Sequence, residues 1–168
     1  MLFQSISETN WHVHSLARGL VPVPVDARGL MAALDDLARS VAERDGPRCR
    51  FDCPTPVEVD NDVVATHLFR IAQEAVTNAV KHARAEEIRI SLKNSDGQVQ
   101  LSISDDGIGI GKRNPEGLGM RTMEHRRALI GGALTVHRKE KSGGTVVTCA
   151  LPMPSKTKRR PAGTVALP

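Results

Sequence analysis

A carboxylate followed by two spaced glycines is the first group of residues whose types suggest chemistry. Asp105, Gly107 and Gly109 come directly after an alternating apolar stretch that ends at Ser104. Glycine lets the backbone adopt positive φ and approach a ligand closely. An ionised carboxylate only accepts hydrogen bonds, so it can receive one from the exocyclic amine of a nucleobase. The spacing predicts a loop that binds a base, although an ordinary turn fits the same residues.

A second pair of glycines lies a few residues later, where a helical pattern begins. Gly117 and Gly119 lead into residues 120–130, which have helical spacing of apolar positions. Because the first N–H groups of a helix have no partner within the helix, they attract anions such as phosphate. We therefore predict that phosphate groups bind at the start of this helix.

A polar stripe on a long upstream helix is the third element. Residues 60–83 read as one helix, on which Glu74, Asn78 and Lys81 share a face, with His82 beside them. Carboxylate and amide oxygens suit Mg²⁺, which keeps several waters, and an ammonium group neutralises phosphate. The stripe predicts a nucleotide site with Mg²⁺; the alternative is a solvated helix face with a hydrogen bond between Glu74 and Asn78.

Taken together, these motifs resemble the ATP-binding domain of histidine kinases. Four segments are similar to the family's N box, G1 box, G2 box and closing Gly-Thr motif, in the family's order: residues 74–82, 105–110, 117–120 and 142–145. The resemblance runs from about residue 21 to residue 152. Residues 17–20 and 68–76 further resemble the subfamily of nitrate sensors and of the thermosensor kinase of bacilli.

The resemblance implies ATP and Mg²⁺ as the cofactors, and it assigns roles to the motif residues. Asp105 is expected to accept the adenine amino group. Asn78 is expected to bind Mg²⁺, and Glu74 to orient a water or a metal-bound water, which makes these two the catalytic and metal-binding candidates. The other nucleotide contacts are expected from Lys81, His82, Gly107, Gly109, Ile110, Gly117, Leu118, Gly119, Met120 and Thr145.

Several charged residues receive no nucleotide role. Residues 111–116 form a short lid with Lys112 and Arg113 but no Phe, so the usual F box of the larger kinase families is missing. The later cations are interpreted as solvated helix residues or partner contacts: Arg121, Arg126 and Arg127. Three histidines have no spaced partner that suggests a metal site or a catalytic triad: His67, His125 and His137.

The apolar patterns predict how the elements assemble. Helices are expected over residues 29–44, 60–83 and 119–130, and strands over residues 48–53, 88–92, 98–104, 134–137 and 145–151. Helices on one face of a mixed, mostly antiparallel sheet make a two-layer α+β sandwich. The resemblance identifies this sandwich as the GHKL (Bergerat) ATP-binding fold.

The two ends of the chain are expected to lie outside the catalytic domain, which spans residues 21–152. The resemblance makes residues 1–20 the remnant of a dimerisation and phosphotransfer helix. The family's acceptor histidine is followed by an acid, whereas Val13 follows His12 and Ser15 follows His14. We therefore predict a fragment without an acceptor, which does not phosphorylate itself. Residues 153–168 are expected to be a disordered basic tail.

Composition excludes several other classes of function. The net charge of +4 arises in the tail, because removing its four basic residues from the total of 23 leaves 19 basic and 19 acidic residues. Nucleic-acid binding is therefore not expected. Cys49, Cys53 and Cys149 are predicted to be free thiols in a reducing compartment. No segment suggests a signal peptide or a membrane span, so the predicted location is cytoplasmic, with an upstream membrane anchor left open.

The predicted function is transfer of the γ-phosphoryl group of ATP to a histidine on a dimerisation domain of the same full-length protein. Relay to the receiver domain of a response regulator would follow. The fragment is expected to be a monomer and the full-length protein a homodimer. Two alternatives remain, a serine kinase of the anti-sigma type and an ATP-binding module without turnover. Residues 17–20 and 29–34 favour the histidine kinase.

Overall fold

One five-stranded sheet organises the structure. The computed structural model describes residues 27–43, 46–95, 97–110, 117–140 and 143–152. The strands are β1 (Arg48–Asp52), β2 (Glu87–Ser95), β3 (Gln98–Asp105), β4 (Ala133–Arg138) and β5 (Thr145–Pro152), in the spatial order β1-β2-β3-β5-β4. β1 pairs with β2 in parallel, and the other three pairs are antiparallel. The prediction of a mixed, mostly antiparallel sheet is confirmed.

Three helices cover one face of this sheet. They are α1 (Ala27–Ala42), α2 (Asp62–Asn78) and α3 (Leu118–Leu129). Alternate residues of the central strands face the helices and are buried with them, so that Ile90 lies opposite Ile103, and Ile103 opposite Val147. The intervening residues Arg89 and Gln100 are exposed. The predicted two-layer α+β sandwich is therefore confirmed, with its core between the two layers.

The helix ends follow local signals in the sequence. Asn61 caps α2, because its side-chain oxygen accepts hydrogen bonds from the N–H groups of Val63 (2.9 Å) and Val64 (3.1 Å). Gly131, with a positive φ of 65°, ends the turn after α3. The N–H of Gly132 then returns to the carbonyl of Arg127 at 2.9 Å, which closes the helix.

The long helix differs from its prediction in its last turn. The α-helical hydrogen bonding stops at Asn78, and residues Ala79–Ala83 form a single π-helical turn before Arg84 adopts a left-handed conformation with φ of 51°. The buried residues Ala75, Ala79 and Ala83 are spaced by four, which fits both kinds of turn, so their periodicity could not separate them. Single π turns occur often beside functional sites.

Five segments lie partly or wholly outside the described residues. They are the predicted N-terminal helix remnant (residues 1–20), the lid (111–116), the tail (153–168), the turn between β2 and β3 (residue 96) and the turn between β4 and β5 (residues 141–142). Among the described residues, no helix combines the length and the apolar character that a membrane span requires.

Candidate functional site

A cleft of about 1060 Å³ opens between α2, α3 and the ends of β3 and β5. One wall is the polar side of α2, and the opposite wall is the start of α3. Its floor consists of side chains from the sheet, including Ile103, Val136 and Val147. The cleft is therefore apolar at its base and polar along the two helices, as small-molecule sites commonly are.

Asp105 lies at the end of β3, on the buried face of the sheet and opposite Ile88. Its exposed fraction is 5%, and it is the buried residue with a charged side chain among those described. Oδ1 accepts a hydrogen bond from the N–H of Gly107 at 2.9 Å. No donor among the described residues pairs with Oδ2, although Asp105 lines the cleft. A buried carboxylate therefore offers one oxygen to a donor that enters the cleft.

The loop after Asp105 is fastened to the end of the long helix. The N–H of Ile108 donates to the carbonyl of Ala83 at 2.8 Å, and a β-carbon on Gly107 would overlap that same carbonyl. Asp106 Oδ1 accepts the N–H groups of Glu86 and Glu87 at 2.9 Å each. These donors, that of Glu87 foremost, lower the pKa of Asp106. The carboxylate thereby ties the loop to the start of β2.

Residues near the closing Gly-Thr motif hold the other side of the loop. Lys139 Nζ donates to the backbone carbonyl of Asp105 at 2.7 Å. A β-carbon on Gly144 would overlap the same carbonyl, so only glycine allows this approach. Gly109 has a positive φ of 75°, and a β-carbon there would lie 2.9 Å from the carbonyl oxygen of Gly144. The backbones of residues 105–109 and 144 therefore pack directly against each other.

The N box and the G2 box meet through one glycine. A β-carbon on Gly119, in the first turn of α3, would overlap Glu74 Oε1 and lie 3.2 Å from Asn78 Nδ2. Glycine at this position lets the first turn of α3 approach the carboxylate and amide of α2. The free N–H groups of the helix start, the Glu74 carboxylate and the Asn78 amide consequently share one part of the cleft.

The structure brings together nearly all residues predicted to bind nucleotide. Those that line the cleft are Glu74, Asn78, Lys81, His82, Asp105, Gly109, Ile110, Gly117, Leu118, Gly119, Met120 and Thr145. Gly107 does not line it and instead lies behind the loop, against Ala83. Lys81 and His82 are exposed at the rim, in the π-helical turn. Leu118 is 83% exposed.

Two arginines that line the cleft received no nucleotide role from the sequence. Arg70 lies one turn before Glu74 on the polar stripe of α2, and the i−4 spacing could have revealed it. Arg126 lines the cleft from α3, and it also lines a smaller groove together with Arg121. Arg127 differs, because it forms an ion pair with Glu124 at 2.6 Å. The interpretation of these three α3 arginines as solvated residues or partner contacts stays a prediction.

None of the three cysteines lines the cleft. All three are free, as predicted. Burial raises the pKa of the Cys49 and Cys149 thiols to about 11, so both are protonated at neutral pH. A protonated thiol is a poor nucleophile.

A family match accounts for this arrangement. Residues 63–155 match the family described as histidine kinase-, DNA gyrase B-, and HSP90-like ATPase. The chain belongs to this ATPase family. All four motifs of the cleft fall within the matched residues.

Members of the ATPase family with similar sequences include sensor kinases. Sensor histidine kinase MctS of Rhizobium johnstonii is 32% identical, over 89% of this chain and 32% of its own length. The nitrate/nitrite sensor protein NarQ of Escherichia coli is 36% identical, over 71% of this chain and 21% of its own length. The chain therefore spans about a third or less of these relatives.

A solved structure supports the fold. The histidine kinase domain of the blue-light activated kinase from Erythrobacter litoralis EL346 superposes with a TM-score of 0.64 at 24% identity, over 74% of this chain and 61% of that one. The predictions of an ATP-binding domain, of the kind that sensor histidine kinases carry, and of its fold are confirmed.

The cleft of this ATPase domain has groups that suit ATP. Asp105 Oδ2 can accept a hydrogen bond from an amino group, and Gly119 brings the start of α3 close to Glu74 and Asn78. Among the described residues, no group of three or more His, Cys, Asp and Glu side chains could hold a metal ion. A metal beside Glu74 and Asn78 would therefore rely on water and phosphate oxygens, as Mg²⁺ does.

Proposed function

We propose that this chain is the catalytic domain of a sensor histidine kinase, which transfers the γ-phosphoryl group of ATP to a histidine. One observation carries the proposal: the buried Asp105 carboxylate, one oxygen of which has no partner among the described residues, shares one cleft with the Glu74–Asn78–Gly119 contact. The carboxylate can select adenine, and the residues of the Glu74–Asn78–Gly119 contact can hold phosphates and metal. The names of the relatives, which are sensor kinases, support the same reaction.

Asp105 would orient the nucleotide by its base. Its Oδ2 accepts the exocyclic amine of adenine, whereas guanine presents a carbonyl oxygen there and would leave two acceptors facing each other. A site built to pair with a donor discriminates strongly against an analogue that lacks it. Gly107 does not line the cleft but orients the carboxylate, because its N–H donates to Oδ1 and leaves Oδ2 to the ligand.

Asn78 and Glu74 would act at the phosphate end. Asn78 would hold Mg²⁺ through its amide oxygen, and the metal would supply neutralisation of the phosphate charge. The carboxylate of Glu74 orients a water or the incoming nucleophile, and the N–H groups at the start of α3 bind phosphate oxygens. Lys81 and His82 at the rim add positive charge beside the phosphates.

The transfer itself would be a direct displacement. A neutral histidine nitrogen supplies the electron pair of the new P–N bond, and the bond from the γ-phosphorus to its bridging oxygen breaks. ADP leaves with that electron pair. Positioning and charge neutralisation account for most catalysis of this kind.

The proposed partners are ATP, a dimerisation domain of the same full-length protein that carries the acceptor histidine, and the receiver domain of a response regulator. We propose that the catalytic domain by itself is monomeric, that the full-length protein is a homodimer, and that its location is cytoplasmic, where ATP is supplied. The N-terminal remnant, the lid and the disordered tail stay predictions, as do the individual roles of the site residues. A serine kinase of the anti-sigma type and a module without turnover remain alternatives, but the sensor-kinase relatives favour neither.

Transfer to a separate hairpin tests this function. The chain is incubated with Mg²⁺ and ATP labelled at the γ-phosphoryl group, with and without a dimeric hairpin from the same gene that carries the acceptor histidine. We expect acid-labile phosphate on the hairpin and none on the chain alone. Acid-stable label would favour the serine kinase, and ATP binding without transfer would favour the module without turnover. Label on His12 or His14 would show that an acceptor is present after all.

A further inference from the structure

The cleft continues past Glu74, away from Asp105, and two arginines form its end. α2 runs toward Ala83, which contacts the loop after Asp105, so Arg70 lies on the opposite side of Glu74. The separation of four residues corresponds to about 6 Å along a helix. Arg126 lines the same cleft from α3, about two turns beyond Gly119, and it also lines a neighbouring smaller groove. The two helices thus contribute one arginine each to the cleft, and the charge of Arg126 acts on Arg70.

No acid among the described residues neutralises this pair. Neither Arg70 nor Arg126 forms an ion pair with a carboxylate there, although Arg39, Arg50, Arg89 and Arg127 all do. Arg70 donates one hydrogen bond, at 3.1 Å, to the uncharged amide oxygen of Gln73. Both arginines are partly buried, so water screens their charges less than it would at an open surface.

The surroundings of Arg126 are electropositive as well. Burial, and then the charge of Arg126, lower the pKa of Arg70. Burial, and then the charges of Arg126 and His125, lower the pKa of His67. His67 Nδ1 is also buried without a hydrogen-bond partner in the described part of the chain. An anion between α2 and α3 would relieve the repulsion at this place.

We propose that Arg70 and Arg126 form an oxyanion site that receives the terminal phosphoryl group of a nucleoside triphosphate whose base lies at Asp105. The inference rests on the proposed function. Asn78, Glu74 and Arg70 succeed one another along α2, starting from the end that contacts the loop after Asp105. Arg126 lines the same cleft from α3. Guanidinium groups match phosphate oxygens with two parallel hydrogen bonds.

Such a site would distinguish ATP from ADP. Two guanidinium groups at the terminal phosphoryl group would bind the triphosphate more tightly than the diphosphate. They would also stabilise the charge on the phosphoryl oxygens during transfer, as arginines do in other phosphoryl-transfer enzymes. Arg70 and Arg126 would then be catalytic residues.

Calorimetric titration of the chain with ATP and with ADP, both in Mg²⁺, tests the site. The variants are Arg70→Gln and Arg126→Gln, and the control is Arg127→Gln, which removes a neighbouring charge that is already paired with Glu124. We expect each variant to weaken ATP binding by about tenfold, the value of a charged hydrogen bond, and to leave ADP binding within about twofold. The control should change neither. Circular dichroism checks that each variant folds.

Two results overturn the proposal, and they are distinguishable. If the unmodified chain binds neither nucleotide, the proposed function fails and the oxyanion site fails with it. If the chain binds both nucleotides but the ratio of ATP to ADP affinity is unchanged in both variants, the oxyanion site alone is wrong. If one of the two variants fails to fold, the other variant decides between these results.

Discussion

Gly119 and Glu74 are in direct contact across the cleft, and the contact leaves no room for a side chain. A β-carbon on Gly119 would overlap Glu74 Oε1 and crowd Asn78 Nδ2 at 3.2 Å. The contact sets how closely the start of α3 approaches the polar stripe of α2. The phosphate-binding and metal-binding parts of the proposed site therefore depend on one glycine.

Substitution of Gly119 by alanine should separate these two parts. The added methyl group must displace the Glu74 carboxylate or the start of α3, while the core residues stay in place. We expect the rate of phosphoryl transfer to a supplied hairpin to fall about a hundredfold, because small displacements of reacting groups have effects of that size. Quantified phosphohistidine in a timed assay measures the rate.

The matched control for Gly119 is Gly131→Ala, after α3. A β-carbon there meets nothing within 4 Å, but φ is 65°. The left-handed conformation should lower the free energy of unfolding by about 1 kcal/mol, with no effect on the transfer rate of the folded chain. Equal transfer rates for Gly119→Ala and the unmodified chain would contradict the importance of the contact.

Removal of the Asn78 amide should abolish the effect of Mg²⁺ on ATP binding. Asn78 faces the cleft beside Glu74, and its side chain makes no hydrogen bond that caps the π-helical turn. Asn78→Ala should therefore fold normally and bind ATP with equal affinity in Mg²⁺ and in EDTA. Calorimetry in the two buffers measures the difference. If the folded variant keeps the full Mg²⁺ dependence of ATP binding, Asn78 is not a metal ligand, and the polar stripe of α2 is a solvated helix face.

Local signals in the sequence predicted the elements well. Asn61 and Gly131 mark helix ends by side-chain capping and by positive φ, which are properties of single residues. The period-two pattern placed Ile88 and Ile103 on one buried face. Asp105 follows the same alternation, which is why a residue predicted to bind a base is also buried.

Contacts between elements were not predictable in the same way. The π-helical turn at Ala79–Ala83 has the same apolar spacing as an α-helix. The packing of Gly107 behind the loop depends on a carbonyl more than 20 residues earlier in the chain, at Ala83. Arg126 received no role because its position in the cleft depends on how α3 packs against α2.

The buried thiol of Cys149 should make the free energy of unfolding decrease as the pH rises above 9.0. This residue is fully buried, and burial raises its pKa from 9.0 to about 11. In the unfolded chain the thiol ionises as pH rises through 9.0, whereas the folded chain retains the proton until about 11. Ionisation therefore favours the unfolded state in this window, and the contribution to stability is fully present below pH 9.0.

Urea denaturation at pH 8 and at pH 10 measures the effect of Cys149. Because Cys49 also titrates at high pH, the comparison is between the unmodified chain and Cys149→Ala. The variant should lose less stability between the two pH values, although it is less stable at both because its core contains a cavity. An identical loss in the two proteins would show that the thiol does not contribute.

The most direct test of the ATP site is calorimetric titration with ATP and with GTP, for the unmodified chain and for Asp105→Asn. The substitution preserves the size of the side chain, and its amide oxygen can still accept from the Gly107 N–H. The second carboxylate oxygen is replaced by an NH2 group, which donates hydrogen bonds and carries no charge. We expect the unmodified chain to prefer ATP, and the variant to lose about 1–3 kcal/mol of ATP binding together with that preference. Equal affinity of the unmodified chain for ATP and GTP would contradict the assignment of adenine to Asp105.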